Sequence, residues 1–382
     1  MPSQGKGNRL DASAMMMRLT LPYIVFTLTF ICAKNVANAA GDHWCYTEDN
    51  CDASTWGGEC QTGKQQSPID FTQKNTIQQN NQVRLRFNRK YSDIQDHFMI
   101  KNNGHTIQVQ LEDDITSDLV MDGDYFKGSY RFSQLHFHWG SHPDKGSEHV
   151  VDGNGYVAEL HLVHYSNDYK SLKEAVGTKN RRGLAVLGIF FQLSSEDNPA
   201  LDPIVEAISK VKRQEDNLVS VQIPLNVSAL LPNDLSLWRY YGSLTTPSCN
   251  EVVVWTVFKQ AVPISRAQWK AFKDSADSGG RSIIDNYRPP QSTINRKVYF
   301  FNHVLRERMP DAGELDRNPP LADALYDTAQ KSVNSKSSSS DDKNSQNGSN
   351  SGRSDVYNSA LTGFIFLSIF LQVLITTVLK CR

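Results

Sequence analysis

The chain contains no Cys-x-x-Cys pair and no His-Glu-x-x-His segment. The first absence excludes a zinc finger, and the second argues against a zincin-type protease. No block of Lys and Arg stands out, and 40 basic residues face 41 acidic ones. Nucleic acid is therefore not an implied partner. Internal repeats are missing, and helical periodicity is scarce. Long apolar runs occur only near the two ends of the 382 residues. What lies between them is long enough for one large core or two ordinary ones.

The ends read as targeting segments. Arg9 and Arg18 precede an apolar run from Leu19 to Ala33, followed by Ala37-Asn38-Ala39. This order of basic region, short apolar region and small-residue site predicts a signal peptide over 1–39, cleaved after about Ala39 or Ala40. An N-terminal membrane anchor is the alternative, for which the run is short. At the other end, 310–360 is rich in Ser, Asn, Asp and Lys and reads as a solvated stalk. The tail 361–382 contains the uncharged run Leu361–Leu379 and ends Lys380-Cys381-Arg382. Small residues around Gly348-Ser349, a polar spacer and this tail fit a GPI-attachment signal, the preferred reading. A transmembrane helix is the alternative. Either way the body is expected to face outward on a membrane. Sequons occur at Asn226-Val227-Ser228 and Asn347-Gly348-Ser349.

Outside the two end segments the cysteines are Cys45, Cys51, Cys60 and Cys249. An even number in a secreted body predicts two disulfides. Three crowd together, so one of them must reach Cys249, and three pairings are open.

The body, 43–301, reads as β-rich. Short alternating or apolar runs recur at 83–87, 98–101, 106–111, 134–139, 156–165, 185–192 and 252–258. Gly, Asn and Asp punctuation separates several of them. The stretch Leu184–Phe191 is apolar on both faces, as in a buried central strand. Two short helices are expected, at 203–211 and at 265–272 with Ser265 as N-cap.

The chemistry concentrates in Gln134-Leu135-His136-Phe137-His138-Trp139 and in Glu159-Leu160-His161-Leu162-Val163-His164. On a strand, residues two apart share a face, so His136 and His138 point together. A neighbouring strand carrying His161 would complete three imidazoles, with Gln134 and Glu159 close behind. Three neutral nitrogens with a fourth position left for water make a catalytic zinc site.

Four segments then become specific: QLHFHWG (134–140), GSEHV (146–150), AELHLVH (158–164) and GSLTTP (242–247). In this order they resemble the signature of the α-class carbonic anhydrases, and the resemblance runs from His43-Trp44 to about Asn295-Arg296. Cys60 before Gln66-Ser67-Pro68-Ile69, and Cys249 after Thr245-Thr246-Pro247, resemble the secreted, GPI-anchored branch. That likeness implies the pairs Cys60–Cys249 and Cys45–Cys51. The family implies a mainly β (α+β) single domain around a twisted, mostly antiparallel ten-stranded sheet with peripheral short helices.

It also implies a Zn2+ cofactor on His136, His138 and His161, with Gln134, Glu159 and the backbone of Asn286 behind them. The implied activity is reversible hydration of CO2 to bicarbonate and a proton, a reaction of pH regulation. By motif, Thr245 is the gatekeeper that donates to Glu148, and His105 is the proton shuttle. Tyr46, Asn103 and Gln108 match positions that order its water chain, with Gln108 standing where a shorter amide is common. Val163, Val186, Leu244 and Trp255, with Thr246, match the substrate pocket. His149 and His164 resemble buried structural histidines, and sulfonamide-type inhibitors are implied ligands. The alternative, a carbonic-anhydrase-like extracellular binding or matrix module, would be signalled by a lost ligand histidine, and none is lost. A zinc hydrolase of esters or peptides lacks a leaving-group acid.

Overall fold

The computed structural model describes residues 44–48, 51–112, 115–213, 220–294 and 296–309. The leader, His43, the stalk, the tail and Asn347 lie outside the described residues.

The body is built on one large mixed sheet. Ten strands form its continuous path: β1 Thr76–Gln79, β2 Gln95–Asn102, β3 Ile107–Leu111, β4 Tyr130–Trp139, β5 Ala158–Ser166, β6 Leu184–Ser194, β7 Val221–Leu225, β8 Leu237–Gly242, β9 Val253–Phe258 and β10 Val298–Phe301. In space they run β7-β2-β3-β4-β5-β6-β9-β8-β10-β1. Four further strands, Val83–Phe87, Val120–Gly123, Val262–Ser265 and Val304–Arg308, join the same sheet off that path. Along the path only β6–β9 and β10–β1 are parallel, so the sheet is mostly antiparallel, as the resemblance implies.

Strand β6 shows why the centre sits where it does. Leu184–Phe191 is buried at every residue, and its parallel neighbour β9 is too. A strand that is apolar on both faces has no solvent side and must lie inside the sheet with layers on both faces. One face packs the larger core, which includes Leu135, Phe137, Leu160, Leu162, Leu187 and Ile189. The other holds Val163, Val186, Trp255 and Tyr240.

The described α-helices are short: Glu59–Thr62, Leu172–Gly177, Asp202–Ile208 and Arg266–Lys273. The last begins at the expected cap. The Ser265 hydroxyl accepts from the backbone of Gln268, and the Gln268 side chain reaches back, closing a capping box. Among the described residues no helix is long and apolar enough to cross a membrane.

Both disulfides have the implied pairing. Cys45 joins Cys51, and Cys60 joins Cys249 across 189 residues. The second packs with Trp56, Trp44 and Tyr46 in a small cluster of its own.

Candidate active site

Strand register brings the imidazoles together. In the β4–β5 ladder His161 lies directly opposite His136, and Glu159 opposite His138. Because alternate residues share a face, all three rings point to one side of the sheet. Each ring has one nitrogen pinned from behind. His136 Nδ1 meets Gln134 Oε1 at 2.9 Å, and His138 Nδ1 meets the Asn286 carbonyl at 2.7 Å. His161 Nε2 meets Glu159 Oε1 at 2.9 Å. These acceptors require N–H on the outer nitrogens, which turns the lone pairs of His136 Nε2, His138 Nε2 and His161 Nδ1 inward. His138 Nε2 and His161 Nδ1 are 3.1 Å apart, and one ligand atom from each of the three rings lies within 4.8 Å of the others.

Burial, reinforced by the neighbouring rings, depresses the pKa of all three. His138 falls to about 3, and His136 and His161 also fall below the usual imidazole value. The rings are therefore neutral at physiological pH, the state that binds a metal.

Glu159 is the hub behind them. Its Oε1 accepts from His161 and His149, and its Oε2 accepts the backbone N–H groups of Glu148 and His149. Burial alone would raise its pKa, but the two histidines outweigh that and hold the carboxylate ionised. Gly188, opposite His161 on β6, makes room for it: a Cβ there would lie 3.0 Å from Glu159 Oε1.

Glu148 stands on the inner side. Its Oε2 is 3.4 Å from His138 Nε2, and its Oε1 accepts the Arg288 backbone N–H at 2.8 Å. Burial pushes its carboxyl well up, against hydrogen bonds from the Thr245 hydroxyl and that N–H. A buried acid beside three converging neutral nitrogens suits a site completed by a cation. The donor set fits zinc: three imidazoles, no thiolate, and a half-buried His136 that leaves an open side.

A family model for eukaryotic-type carbonic anhydrases matches residues 51–302. The chain belongs to that family. Its enzyme class is that of a carbonate dehydratase. It is 36% identical over 242 residues to human "Carbonic anhydrase 5A, mitochondrial", covering 62% of this chain and 76% of that one. It is 38% identical over 204 residues to mouse "Carbonic anhydrase 7", 52% of this chain and 75% of that one. With human "Carbonic anhydrase 3" identity is 37% over 203 residues, covering 52% and 76%.

The other positions singled out by the carbonic anhydrase motifs fall around the triad. Val163, Val186 and Trp255 are buried in one cluster, and the partly buried Leu244 packs against it. Thr245 is buried and Thr246 half-buried on a loop closed by two backbone bonds, Cys249 to Thr246 at 2.8 Å and Leu244 to Asn250 at 3.0 Å. His105 follows a turn in which the Asn103 side chain accepts from the backbone of His105 and Thr106. His105 lines a cavity of ≈ 200 Å³ together with Tyr46, Ile284 and Asn286. Asn103 donates to Gln108 at 3.2 Å, and Gln108 to Gln110 at 2.8 Å, forming a run of amides. Gln108, Gln110 and Gln134 also line a cavity of ≈ 650 Å³. Burial, then the charge of Glu148, raises the Tyr46 pKa, so its phenol stays protonated.

His149 and His164 are buried, as the resemblance implies. In the sequon at Asn226, the side-chain amide donates to the Ser92 carbonyl and the Ser228 hydroxyl is buried against Arg306.

Three features were not singled out from sequence. Trp44 stacks on His105, Tyr240 meets His149 Nε2 at 2.6 Å, and Arg288 is buried behind Glu148. Trp44 sits in a segment that carried the resemblance. Nothing in the sequence around Arg288 marks that arginine as buried.

Proposed function

We propose that this chain catalyses the reversible hydration of CO2, using a zinc ion held by His136, His138 and His161. The observation that carries this reading is that one nitrogen of each ring is pinned by its own acceptor while the other turns to a shared point. Bound there, zinc would acidify a water and so supply a hydroxide nucleophile, a property established for carbonic anhydrases in general.

The residues around it do the rest. Glu148 accepts a hydrogen bond from the Thr245 hydroxyl, which leaves the threonine oxygen only able to accept from the nucleophile and so aligns it toward CO2. Val163, Val186, Leu244 and Trp255 offer an apolar wall to a substrate without charge, and Thr246 borders it. His105 carries the released proton toward buffer, imidazole being the side chain whose unperturbed pKa lies between about 5 and 8. Tyr46, Asn103 and Gln108 order the water between. Gln134, Glu159 and the Asn286 carbonyl fix the ring tautomers. Sulfonamide-type inhibitors, whose ionised nitrogen keeps one proton to give, would bind at the same place.

We further place the enzyme on the secretory route, anchored through a GPI lipid attached among the small residues Gly348–Gly352, with 361–382 as the attachment signal, and facing outward. The leader-like and tail-like ends support this, and so do the two disulfides, which form in oxidising compartments. Glycosylation at Asn226 and Asn347 belongs to the same proposal. His136→Ala should abolish CO2 hydration and zinc retention, and normal values for both would overturn the assignment. Release from cells by a phosphatidylinositol-specific phospholipase tests the anchor, and retention after complete digestion points to a spanning helix instead.

A further inference from the structure

Gln66 is buried, has no part in the scheme above, and bridges two segments that the scheme needs held together. Its Oε1 accepts from Arg288 Nη1 at 2.8 Å. Its Nε2 donates to the Cys249 carbonyl at 3.1 Å and to Glu251 Oε1 at 3.0 Å. Arg288 in turn gives its backbone N–H to Glu148 and its Nη groups to the carbonyls of Ser67 and Cys60. Cys249 closes the Thr245 loop by donating to the Thr246 carbonyl. One carboxamide therefore links the residue that anchors Glu148 to the loop that carries Thr245.

We infer that Gln66 is a positioning residue for the Thr245–Glu148 pair, an inference that rests on the proposed roles of those two residues. Glu148 and Thr245 come from segments far apart in sequence and share no strand ladder. A useful hydroxyl-to-carboxylate hydrogen bond tolerates only a few tenths of an ångström. The Cys60–Cys249 disulfide fixes the same loop at one point only. Ser67 and Ser243 exchange two hydrogen bonds at the loop's start, and the Gln65 N–H reaches Glu251 beyond its end; the Gln66 bridge is the contact that joins the loop to Arg288, and hence to Glu148. Its polarity is matched on every side, acceptor to the guanidinium and donors to a carbonyl and a carboxylate. The isosteric acid would reverse the match on the loop side and place two carboxylates together.

The test uses zinc-loaded, full-length protein and two inhibitors. A sulfonamide bound through its nitrogen keeps one N–H, which Thr245 can accept only while its own proton is committed to Glu148. Azide carries no proton and so loses nothing when that bond breaks. Gln66→Glu should keep one zinc per chain and bind azide at least as tightly as before, while sulfonamide affinity falls about tenfold, the cost of one lost hydrogen bond. The double variant Gln66→Glu with Glu251→Gln should recover part of the loss, because the new amide can donate to the new carboxylate while the Cys249 carbonyl still faces an acceptor. Gln66→Met, which adds no charge, should show the same split and stands in if the acid does not fold. Unchanged sulfonamide affinity would overturn the inference, and so would parallel losses for both inhibitors, which would mark a purely structural residue. A native protein that takes up zinc but binds neither inhibitor would count instead against the proposed function.

Discussion

Trp44 lies flat against His105, with ring centroids 3.8 Å apart and planes inclined by 13°. The tryptophan immediately precedes Cys45, which is bonded to Cys51, and it packs edge-on against Trp56 and Tyr46. The ring proposed to carry protons thus rests on an aromatic platform. Such stacking is worth about 0.5–1.5 kcal/mol, enough to bias a mobile imidazole two- to tenfold. Trp44→Ala should shift turnover in dilute buffer by about that factor, and saturating imidazole should erase the difference. His105→Ala should slow turnover in dilute buffer more strongly, with the same rescue. A change that persists at every buffer concentration would place the effect elsewhere.

Glu159 accepts four hydrogen bonds, so its charge is held by geometry rather than by solvent. Glu159→Gln must place an NH2 group where at least one donor now points. Loss of such a partner to a ligating histidine costs about 10–100-fold in metal affinity. Competition with a chromophoric chelator should read that loss. Gly188→Ala should move affinity in the same direction by crowding the carboxylate. Wild-type affinity in both variants would contradict the role given to Glu159.

His164 gives a pH dependence with a definite sign. Burial holds its pKa at about 3, although the Leu162 and Ala185 carbonyls, which accept from Nδ1, pull upward. Tyr91 meets Nε2 on the other side. In the unfolded chain the group returns to about 6.5. Its folded pKa is lowered, so the unfolded state takes up the proton first. The stability held by neutral His164 is complete above about pH 6.5 and is lost as pH falls toward 3. The slope reaches about 1.4 kcal/mol per pH unit. Urea unfolding across this range should give a shallower acid loss for His164→Gln than for the native protein, although the variant is less stable at neutral pH. Parallel curves would show that His164 is not the group responsible.

The Cys60–Cys249 bridge closes 189 residues. Loop entropy puts the stabilisation at roughly 5 kcal/mol, an upper figure that native-state adjustment reduces. A Cys60→Ala/Cys249→Ala variant should unfold at markedly lower urea concentration and lose activity with its fold. Loss of Cys45–Cys51 should act mainly on the Trp44 platform, leaving zinc uptake intact. Chemical denaturation and metal analysis of the two variants separate these effects.

Much of the active site is legible in sequence because strand periodicity is short-range. The two-residue spacing of His136 and His138 is enough to place them on one face, and the ladder to β5 needs only one correct register to add His161. The buried strand β6 and the Ser265 cap announce themselves by composition and by a side chain that can act locally. Gln66 and Arg288 do not, since their partners lie up to 228 residues away and depend on the closed fold. Pairing of the cysteines was fixed by resemblance to a family, whereas their spacing left it open. Of the four strands off the main path, Val83–Phe87 is legible as an alternating run, whereas Val120–Gly123, Val262–Ser265 and Val304–Arg308 are too short to announce themselves and escape a reading that counts ten.

The central claim is that three imidazoles make one zinc site and that this site hydrates CO2. Adding zinc in steps to metal-free, full-length protein while following CO2 hydration by stopped flow tests it directly. Activity should rise linearly and stop at one zinc per chain. A protein that takes up one zinc and still leaves CO2 at the uncatalysed rate would contradict the account.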